Sequence, residues 1–200
     1  MTSGERNSSS GVTAGRGTLS IHLKATRIKL VLFDVDGVLT DGKILLHADG
    51  TESKQFDIRD GIAMVWAQRA GVTVGFLSAR HSAVTAQRAA QLGIALVHNG
   101  VPINKVETYD EILRQQGLSD AEVAYMGDDV LDLPVLGRAG LSAAPADAVQ
   151  EVRARVHWVS RFGGGCGAAR ELVELILRAQ GKWEPLVAAF LNEANAVTNK

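Results

Sequence analysis

The stretch IKLVLFDVDGVLTDG, residues 28–42, decides the fold of this chain. Its opening residues form an almost unbroken apolar run, which is typical of a strand buried on both faces of a parallel sheet. The run ends at Asp34, and Asp36 follows two positions later. Ligand sites of open parallel sheets form beyond the carboxyl ends of the strands. The stretch therefore predicts a central strand with a functional site at its end.

Outward from this strand, short β-branched runs alternate with longer segments of helical period. That alternation indicates an α/β fold, a Rossmann-like parallel sheet sandwiched by helices. Residues 60–71 predict one of these helices, with an apolar face that carries Ile62, Val65 and Trp66. Residues 43–57 break the rhythm, because two extended arms flank the turn pair Asp49-Gly50. We predict a projecting β-hairpin there.

The chain of 200 residues suits one compact domain with terminal extensions. Residues 1–24 are rich in Ser and Gly and predict a disordered tail. Residues 25–183 form the predicted domain, and residues 184–200 are predicted to be a C-terminal helix or tail.

The composition limits the partners of the protein. The net charge is −1, and no run of Lys or Arg offers a basic surface to nucleic acid or an anionic membrane. We therefore predict a small-molecule partner. Cys166 is the single cysteine, which excludes a disulfide within the chain and fits a reducing compartment. No apolar stretch approaches the roughly 20 residues of a membrane span, and the N-terminus lacks the apolar core of a secretion signal. These features predict a cytoplasmic protein.

Three predicted strands end in residues that carry chemistry. They are Asp34 and Asp36 after the first strand, Ser78 and Arg80 after the second, and Asp128, Asp129 and Asp132 after the strand EVAYMG at 122–127. Lys105 stands at the start of another helix. Because these strand ends meet at one edge of the sheet, the acidic side chains would repel one another unless a cation lay between them. Oxygen ligands without His or Cys select Mg²⁺ over zinc.

Mg²⁺ held by few carboxylates commonly shares its coordination with a substrate phosphate, which indicates phosphoryl transfer. Asp34 is placed to attack phosphorus and form an aspartyl-phosphate. Asp36 is the candidate acid and base, protonating the leaving alkoxide and later accepting a proton from water. Ser78 and Lys105 can hold the remaining phosphate oxygens. Asp129 and Asp132 would support the site by contacting the residues that bind the metal, or through metal-bound water.

These residues resemble the haloacid dehalogenase-like phosphatases, whose four motifs occur in order as DVDGVLT (34–40), Ser78, Lys105 and GDDVLD (127–132). The resemblance implies a HAD-like fold, with Asp34 as nucleophile and Asp36 as acid and base. It also implies a Mg²⁺ site formed by Asp34, Asp128 and the main-chain carbonyl of Asp36.

From Ile28 to Trp183 the chain resembles more closely the 3-deoxy-D-manno-octulosonate 8-phosphate phosphatases. The segments that carry this resemblance are DVDGVLTDGKI, the hairpin, FDIRDG (56–61), the segment from Ser78 to Ile94 and the C-terminal GGCGAARE. That family lacks a large cap domain, and residues 37–77 leave room only for the hairpin and one helix. The resemblance implies a homotetramer with the hairpins at its centre and neighbouring subunits closing each site. It implies hydrolysis of the eight-carbon sugar phosphate, abbreviated KDO 8-phosphate, in lipopolysaccharide biosynthesis. The substrate contacts that it implies are Asp36, Asp57, Arg59, Asp60, Gly61, Arg80, Arg88 and Lys105.

Two positions depart from the family pattern. Cys166 stands where GGRGA has an arginine, and the second motif reads SAR instead of TGR. The first departure leaves a nine-carbon 9-phosphate of the sialic-acid type as an alternative substrate. A phospho-accepting signalling domain would also place an aspartate after a central strand, but Asp36 would speed loss of the phosphoryl group. A non-catalytic, oligomer-forming module would not need the full set of motif residues.

Overall fold

The structure, a computed structural model, describes residues 20–198, with side chains as far as residue 192. The elements of the described chain are, in order, α1 (20–25), β1 (Leu30–Phe33), β2 (Leu45–Leu46), β3 (Glu52–Ser53), α2 (Ile58–Arg69), β4 (Thr73–Ser78), α3 (Ala83–Gln91), β5 (Leu96–Asn99), α4 (Val106–Gln116), β6 (Val123–Met126), α5 (Leu133–Leu136), β7 (Leu141–Ala144), α6 (Gln150–Arg153), β8 (Trp158–Val159), α7 (Ala168–Ala179) and α8 (Trp183–Thr198).

Strand β1 lies inside a six-stranded parallel sheet with the order β5-β4-β1-β6-β7-β8. Its residues are all buried, as the apolar run predicted. In the register of the sheet, Phe33 pairs with Phe76 of β4 and with Met126 of β6. The carboxyl ends of these three strands are therefore nearly level, and the residues that follow them meet at one edge.

The two faces of the sheet are covered by different helices. Val31 and Phe33 of β1 point into a core cluster that includes the buried residues of α2 and α7. Leu30 and Leu32 point into a second cluster with those of α4 and α5. Full burial of each such side chain contributes about 1.5–3 kcal/mol. The predicted α/β sandwich is confirmed.

The predicted hairpin is also confirmed. Strands β2 and β3 pair antiparallel, with Leu45 opposite Ser53. Gly50 has a φ of 84°, in the left-handed region that favours glycine. Asp49 stabilises the turn, because its Oδ1 accepts the backbone N–H of Thr51 at 2.9 Å.

The arm that leaves the hairpin has two distinct sides. From residue 51 to residue 56, exposed positions alternate with half-buried ones. Glu52, Lys54 and Phe56 are the half-buried residues, and Phe56 packs against the first core cluster. Because side chains of an extended chain alternate between two faces, this arm turns these three residues toward the domain.

The N-terminal boundary differs from the prediction. Residues 1–19 of the predicted disordered tail lie outside the described residues. Residues 20–24, also predicted to be disordered, instead belong to helix α1, and Ile21 packs against the first core cluster. Within residues 20–198, no helix has the length and apolar character that crossing a bilayer requires.

The buried face of α2 also differs from the predicted one. Ala63, Met64 and Ala67 enter the core, whereas Ile62 is 38% exposed and Trp66 is only partly buried. The small residues allow α2 to lie close against α7. Packing against a neighbouring helix, and not hydrophobicity alone, therefore selects the buried face.

Candidate active site

Asp34 stands at the carboxyl end of β1 and is held from two sides. Its Oδ1 accepts the backbone N–H of Val35 at 2.7 Å. Its Oδ2 lies 2.8 Å from Nζ of Lys105, whose side chain is only 1% exposed. Lys105 directly precedes α4. The carboxylate of Asp34 is thus fixed by groups from two elements.

Lys105 also connects Asp34 to the second acidic cluster. Its Nζ lies 2.7 Å from Oδ1 of Asp132, a fully buried residue. The hydroxyl of Tyr125 donates to the same oxygen at 2.5 Å. Oδ2 of Asp132 accepts the backbone N–H groups of Asp128 and Asp129 at 3.0 and 3.3 Å. Asp132 therefore fixes the loop that carries Asp128, which fits its predicted supporting position.

Two glycines make room for these carboxylates. A Cβ atom on Gly37 would lie 2.1 Å from Oδ2 of Asp128, and Gly37 has a φ of 86°. A Cβ atom on Gly127 would lie 2.5 Å from the side chain of Asp132. The glycines of DxDG and GDD therefore permit the close approach of the loops after β1 and β6.

The electrostatics of the cluster are those of a cation site. Burial raises the pKa of Asp34 to about 6, with a further contribution from the charge of Asp132 and an opposing one from Lys105. Burial, followed by the charges of Asp34 and Asp132, raises the pKa of Asp128 to about 8. Burial alone would lower the pKa of Lys105, but Asp34 and Asp132 outweigh it and the pKa is raised. Lys105 does not neutralise the cluster fully.

The donor set fits a hard divalent cation. Asp34, Asp128 and Asp132 each have an oxygen within 4.8 Å of the others. The side chain of Asp132 is 0% exposed and accepts hydrogen bonds from Lys105 and Tyr125, whereas Asp34 and Asp128 are half-buried, which makes Asp34 and Asp128 the accessible carboxylates. Few carboxylates and no His or Cys are what Mg²⁺ prefers. Asp129 is exposed, and its Oδ1 accepts the N–H of Val130 at 2.5 Å.

A pocket of about 290 Å³ opens at this edge of the sheet. The predicted site residues that line it are Asp34, Asp36, Ser78, Arg80, Lys105, Asp128, Asp129 and Asp132. Ser78 is 1% exposed and ends β4, where its hydroxyl lies 3.4 Å from the carbonyl oxygen of Arg80. The structure thus gathers residues from three strand ends and α4 around one space.

Two residues of this site were missed in the sequence. Lys54 lies 2.7 Å from Oδ1 of Asp36, and Glu52 pairs with Arg80 at 2.5 Å. Glu52 also accepts the hydroxyl of Ser82 at 2.5 Å. These contacts lower the pKa of Glu52 to about 2, chiefly through the hydrogen bond from Arg80. The alternation along TESKQF was the available signal, because it places Glu52 and Lys54 on one face.

The remaining predicted substrate contacts lie elsewhere in the chain. Asp57 accepts the backbone N–H of Arg59 at 2.6 Å and caps α2. The guanidinium group of Arg59 also forms an ion pair with the carboxylate of Asp57 at 2.7 Å. Arg88 donates to the carbonyl of Asp57 at 3.4 Å, and a Cβ atom on Gly61 would lie 2.3 Å from its Nη2. None of these residues lines the 290 Å³ pocket.

Asp60 has a structural position that its predicted role did not anticipate. It is 2% exposed, and its oxygens accept the backbone N–H groups of Gly167 and Arg170 at 3.2 and 2.8 Å. A carboxylate there satisfies free N–H groups and interacts favourably with the helix dipole. Asp60 therefore caps the N-terminus of α7, and its predicted contact with substrate stays a prediction.

The comparisons with known proteins agree with this site. Residues 75–163 match the family model of the haloacid dehalogenase-like hydrolases. The chain is 38% identical over 168 residues to the 3-deoxy-D-manno-octulosonate 8-phosphate phosphatase KdsC of Escherichia coli (strain B / BL21-DE3), covering 84% of this chain and 89% of that protein.

Solved structures give the same result. The crystal structure of the 8-phosphate phosphatase from Yersinia pestis is similar with a TM-score of 0.81 and 38% identity, covering 82% of this chain and 89% of that one. The enzyme from Moraxella catarrhalis, solved with magnesium, phosphate and KDO, has a TM-score of 0.83 and 34% identity, covering 85% and 97%.

A parallel sheet with paired acidic loops, a buried lysine and a serine at its carboxyl edge defines a haloacid dehalogenase-like hydrolase. The extent of the similarity then narrows the class. The chain belongs to the family of 3-deoxy-D-manno-octulosonate 8-phosphate phosphatases.

Proposed function

We propose that this protein is a Mg²⁺-dependent phosphatase that hydrolyses KDO 8-phosphate to KDO and phosphate through an aspartyl-phosphate. The observation that carries the proposal is the position of Asp34, held by Lys105 beside Asp128 in the pocket at the end of β1. The Moraxella catarrhalis relative with magnesium, phosphate and KDO supports the same cofactor and product.

In the first step, an oxygen of Asp34 attacks phosphorus and the bond from phosphorus to the sugar oxygen breaks. The electron pair leaves with the sugar oxygen, which takes a proton from Asp36. Lys105 and Ser78 hold the phosphate oxygens as charge redistributes. Asp34, Asp128 and the main-chain carbonyl of Asp36 would hold Mg²⁺, which would supply positive charge that reduces repulsion between nucleophile and phosphate.

In the second step, water attacks the phosphorus of the aspartyl-phosphate. Asp36 accepts the proton of that water, and cleavage of the bond between phosphorus and Asp34 releases phosphate. This base function distinguishes the proposal from a signalling domain, which must preserve its phospho-aspartate. Asp36 lines the pocket together with Asp34, as both steps require.

Arg80 is the proposed contact for the acidic sugar. It lines the pocket, and Glu52 holds one end of its guanidinium. Hydrolysis of this substrate would place the protein in lipopolysaccharide biosynthesis in the cytoplasm. A nine-carbon 9-phosphate is the alternative, because Cys166 replaces the arginine of the family motif.

We also propose that the protein is a homotetramer assembled through its hairpins. Leu45, Leu46 and Ile58 are 62%, 72% and 74% exposed, which gives the hairpin and the start of α2 an apolar surface suited to self-association. Arg59 lies in the same region and does not line the 290 Å³ pocket of its own chain. In a tetramer, Arg59 would contact the substrate of a neighbouring subunit.

Light scattering tests the assembly. Leu46→Asp should lower the particle mass, whereas Ile103→Asp, at a residue that is 65% exposed outside the hairpin, should not. An unchanged mass in Leu46→Asp would contradict the proposed interface. Mixing Asp34→Asn with Arg59→Ala subunits should restore activity if the site is shared between subunits.

The function itself is tested by phosphate release with Mg²⁺ across a panel of sugar phosphates. A preference above tenfold in kcat/KM for KDO 8-phosphate, about 1.4 kcal/mol, supports the eight-carbon substrate. A preference for a nine-carbon 9-phosphate would keep the mechanism and change the substrate. No turnover by wild type, or equal turnover by Asp34→Asn, would contradict the proposed phosphatase activity.

A further inference from the structure

Lys54 places a buried charge beside the proposed acid and base. Its side chain is 0% exposed, and its Nζ lies 2.7 Å from Oδ1 and 3.0 Å from Oδ2 of Asp36. A third contact, to Oγ1 of Thr85, measures 3.4 Å. Asp36 is 21% exposed and lines the pocket, whereas Lys54 does not line it. Of the residues that line the pocket, Asp36 is the one to which Lys54 donates a hydrogen bond.

Anchoring of the hairpin does not by itself account for this lysine. Phe56 already packs against the core, and Glu52 already binds Arg80 and Ser82. Burying an ammonium costs several kcal/mol unless a partner compensates. An apolar side chain would fill the same position without that cost. The ammonium group of Lys54 is therefore explained by its contact with Asp36.

Lys54 donates a hydrogen bond to Oδ2, and its charge lies close to Oδ1, which has no hydrogen-bond partner among the described residues; together these contacts restrict the orientation of the Asp36 carboxyl group. A general acid must point at the leaving oxygen when the bond to phosphorus breaks, and a misplacement of about 1 Å can lower the rate about 100-fold. Asp36 lies in the loop that follows β1, and Lys54 of the hairpin arm contacts its carboxyl group directly. The contact thus supplies orientation at the atoms that transfer the proton.

We propose that Lys54 is a positioning residue that orients Asp36 for proton transfer, which makes the hairpin part of the catalytic apparatus of its own subunit. This inference rests on the proposed phosphatase function. It assigns to the arm after β3 a role separate from assembly, because the contact between Lys54 and Asp36 lies within one chain.

The leaving group distinguishes orientation of an acid from general damage. A sugar alkoxide needs a proton as it departs, whereas p-nitrophenolate is a weak base and departs without one. The value of kcat/KM reports steps up to departure of the first product. Lys54→Met should lower kcat/KM for KDO 8-phosphate at least tenfold and for p-nitrophenyl phosphate less than threefold. Lys54→Arg, which keeps the cation, should recover most of the loss.

Lys43→Met is the matched control, because Lys43 belongs to the same segment but its side chain is 85% exposed. It should leave both substrates unchanged. If Lys54→Met does not fold by circular dichroism, Lys54→Gln, which retains a donor, takes its place. Equal losses for the two substrates, with an active wild type, would overturn the inference alone. An inactive wild type would overturn the proposed function and the inference together.

Discussion

Nζ of Lys105 lies 2.8 Å from Oδ2 of Asp34, at the bottom of the pocket and away from bulk water. The same ammonium contacts Asp132, so one buried cation serves two buried carboxylates. Loss of one partner from a buried ion pair is strongly destabilising, because it leaves an uncompensated charge. Lys105 therefore links the stability of the domain to the orientation of its nucleophile.

Lys105→Met should lower the free energy of unfolding by about 3–5 kcal/mol and abolish phosphatase activity. The reason is that Asp34 and Asp132 would face each other without a cation from the protein. Urea denaturation monitored by circular dichroism measures the change. Lys43→Met, at an exposed site, should alter the free energy by less than about 0.5 kcal/mol. Similar values for the two variants would contradict the coupling.

Mg²⁺ should stabilise the folded protein through Asp128. At 100 times its dissociation constant, a ligand that binds only the native state adds about 2.7 kcal/mol to the free energy of unfolding. Asp128→Asn should abolish most of this gain in a thermal melt. Asp129→Asn should retain it, because Asp129 is exposed and caps the turn that follows β6. Equal Mg²⁺ responses in the two variants would place the metal elsewhere.

Without metal, the protein should lose stability as the pH rises from about 4.5 to about 8. The pKa of Asp34 is raised to about 6 and that of Asp128 to about 8, so in this range the folded state binds more protons than the unfolded state. Stability falls with pH wherever the folded state binds more protons. Thermal melts in EDTA across this range measure the slope, which should be shallower in Asp128→Asn and in saturating Mg²⁺. A free energy of unfolding that rises with pH would contradict the raised pKa values of Asp34 and Asp128.

Two glycines of nearly equal conformation should respond differently to alanine. Gly37 and Gly50 have φ values of 86° and 84°, so both substitutions strain the backbone. A Cβ atom on Gly37 would lie 2.1 Å from Oδ2 of Asp128, whereas one on Gly50 has nothing within 4 Å. Gly37→Ala should abolish Mg²⁺ binding and activity, and Gly50→Ala should cost only about 1 kcal/mol of stability. Isothermal titration with Mg²⁺ tests this, and retained binding in Gly37→Ala would contradict the close packing.

The fold and the centre of the site could be predicted from the sequence because local patterns specify them. A wholly apolar β1 indicated a central strand, and residues after parallel strands had to meet at one edge. Lys105 was included in the site through the order of the motifs, but its ion pair with Asp34 was not predicted.

The features that the sequence did not reveal are contacts between distant segments. Asp60 binds the backbone of Gly167 and Arg170, more than a hundred residues later, and no local pattern indicates that α7 begins there. Ile62 is more hydrophobic than Ala63, yet Ala63 is buried because α2 and α7 approach closely. Lys54 was overlooked because a charged residue in a hairpin is ordinarily solvated, and only its partner Asp36 explains its burial.

The alternating arm of residues 51–56 makes the spacing of the hairpin as restrictive as its composition. Glu52, Lys54 and Phe56 reach Arg80, Asp36 and the core because they are two residues apart on an extended chain. Shifting such a chain by one position turns every side chain to the opposite face. A single inserted residue between Glu52 and Lys54 would withdraw the lysine from Asp36 without altering any catalytic side chain, whereas the turn at Gly50 offers room for extra length. The hairpin can therefore become longer during evolution by insertions at its tip, but not by insertions along the arm.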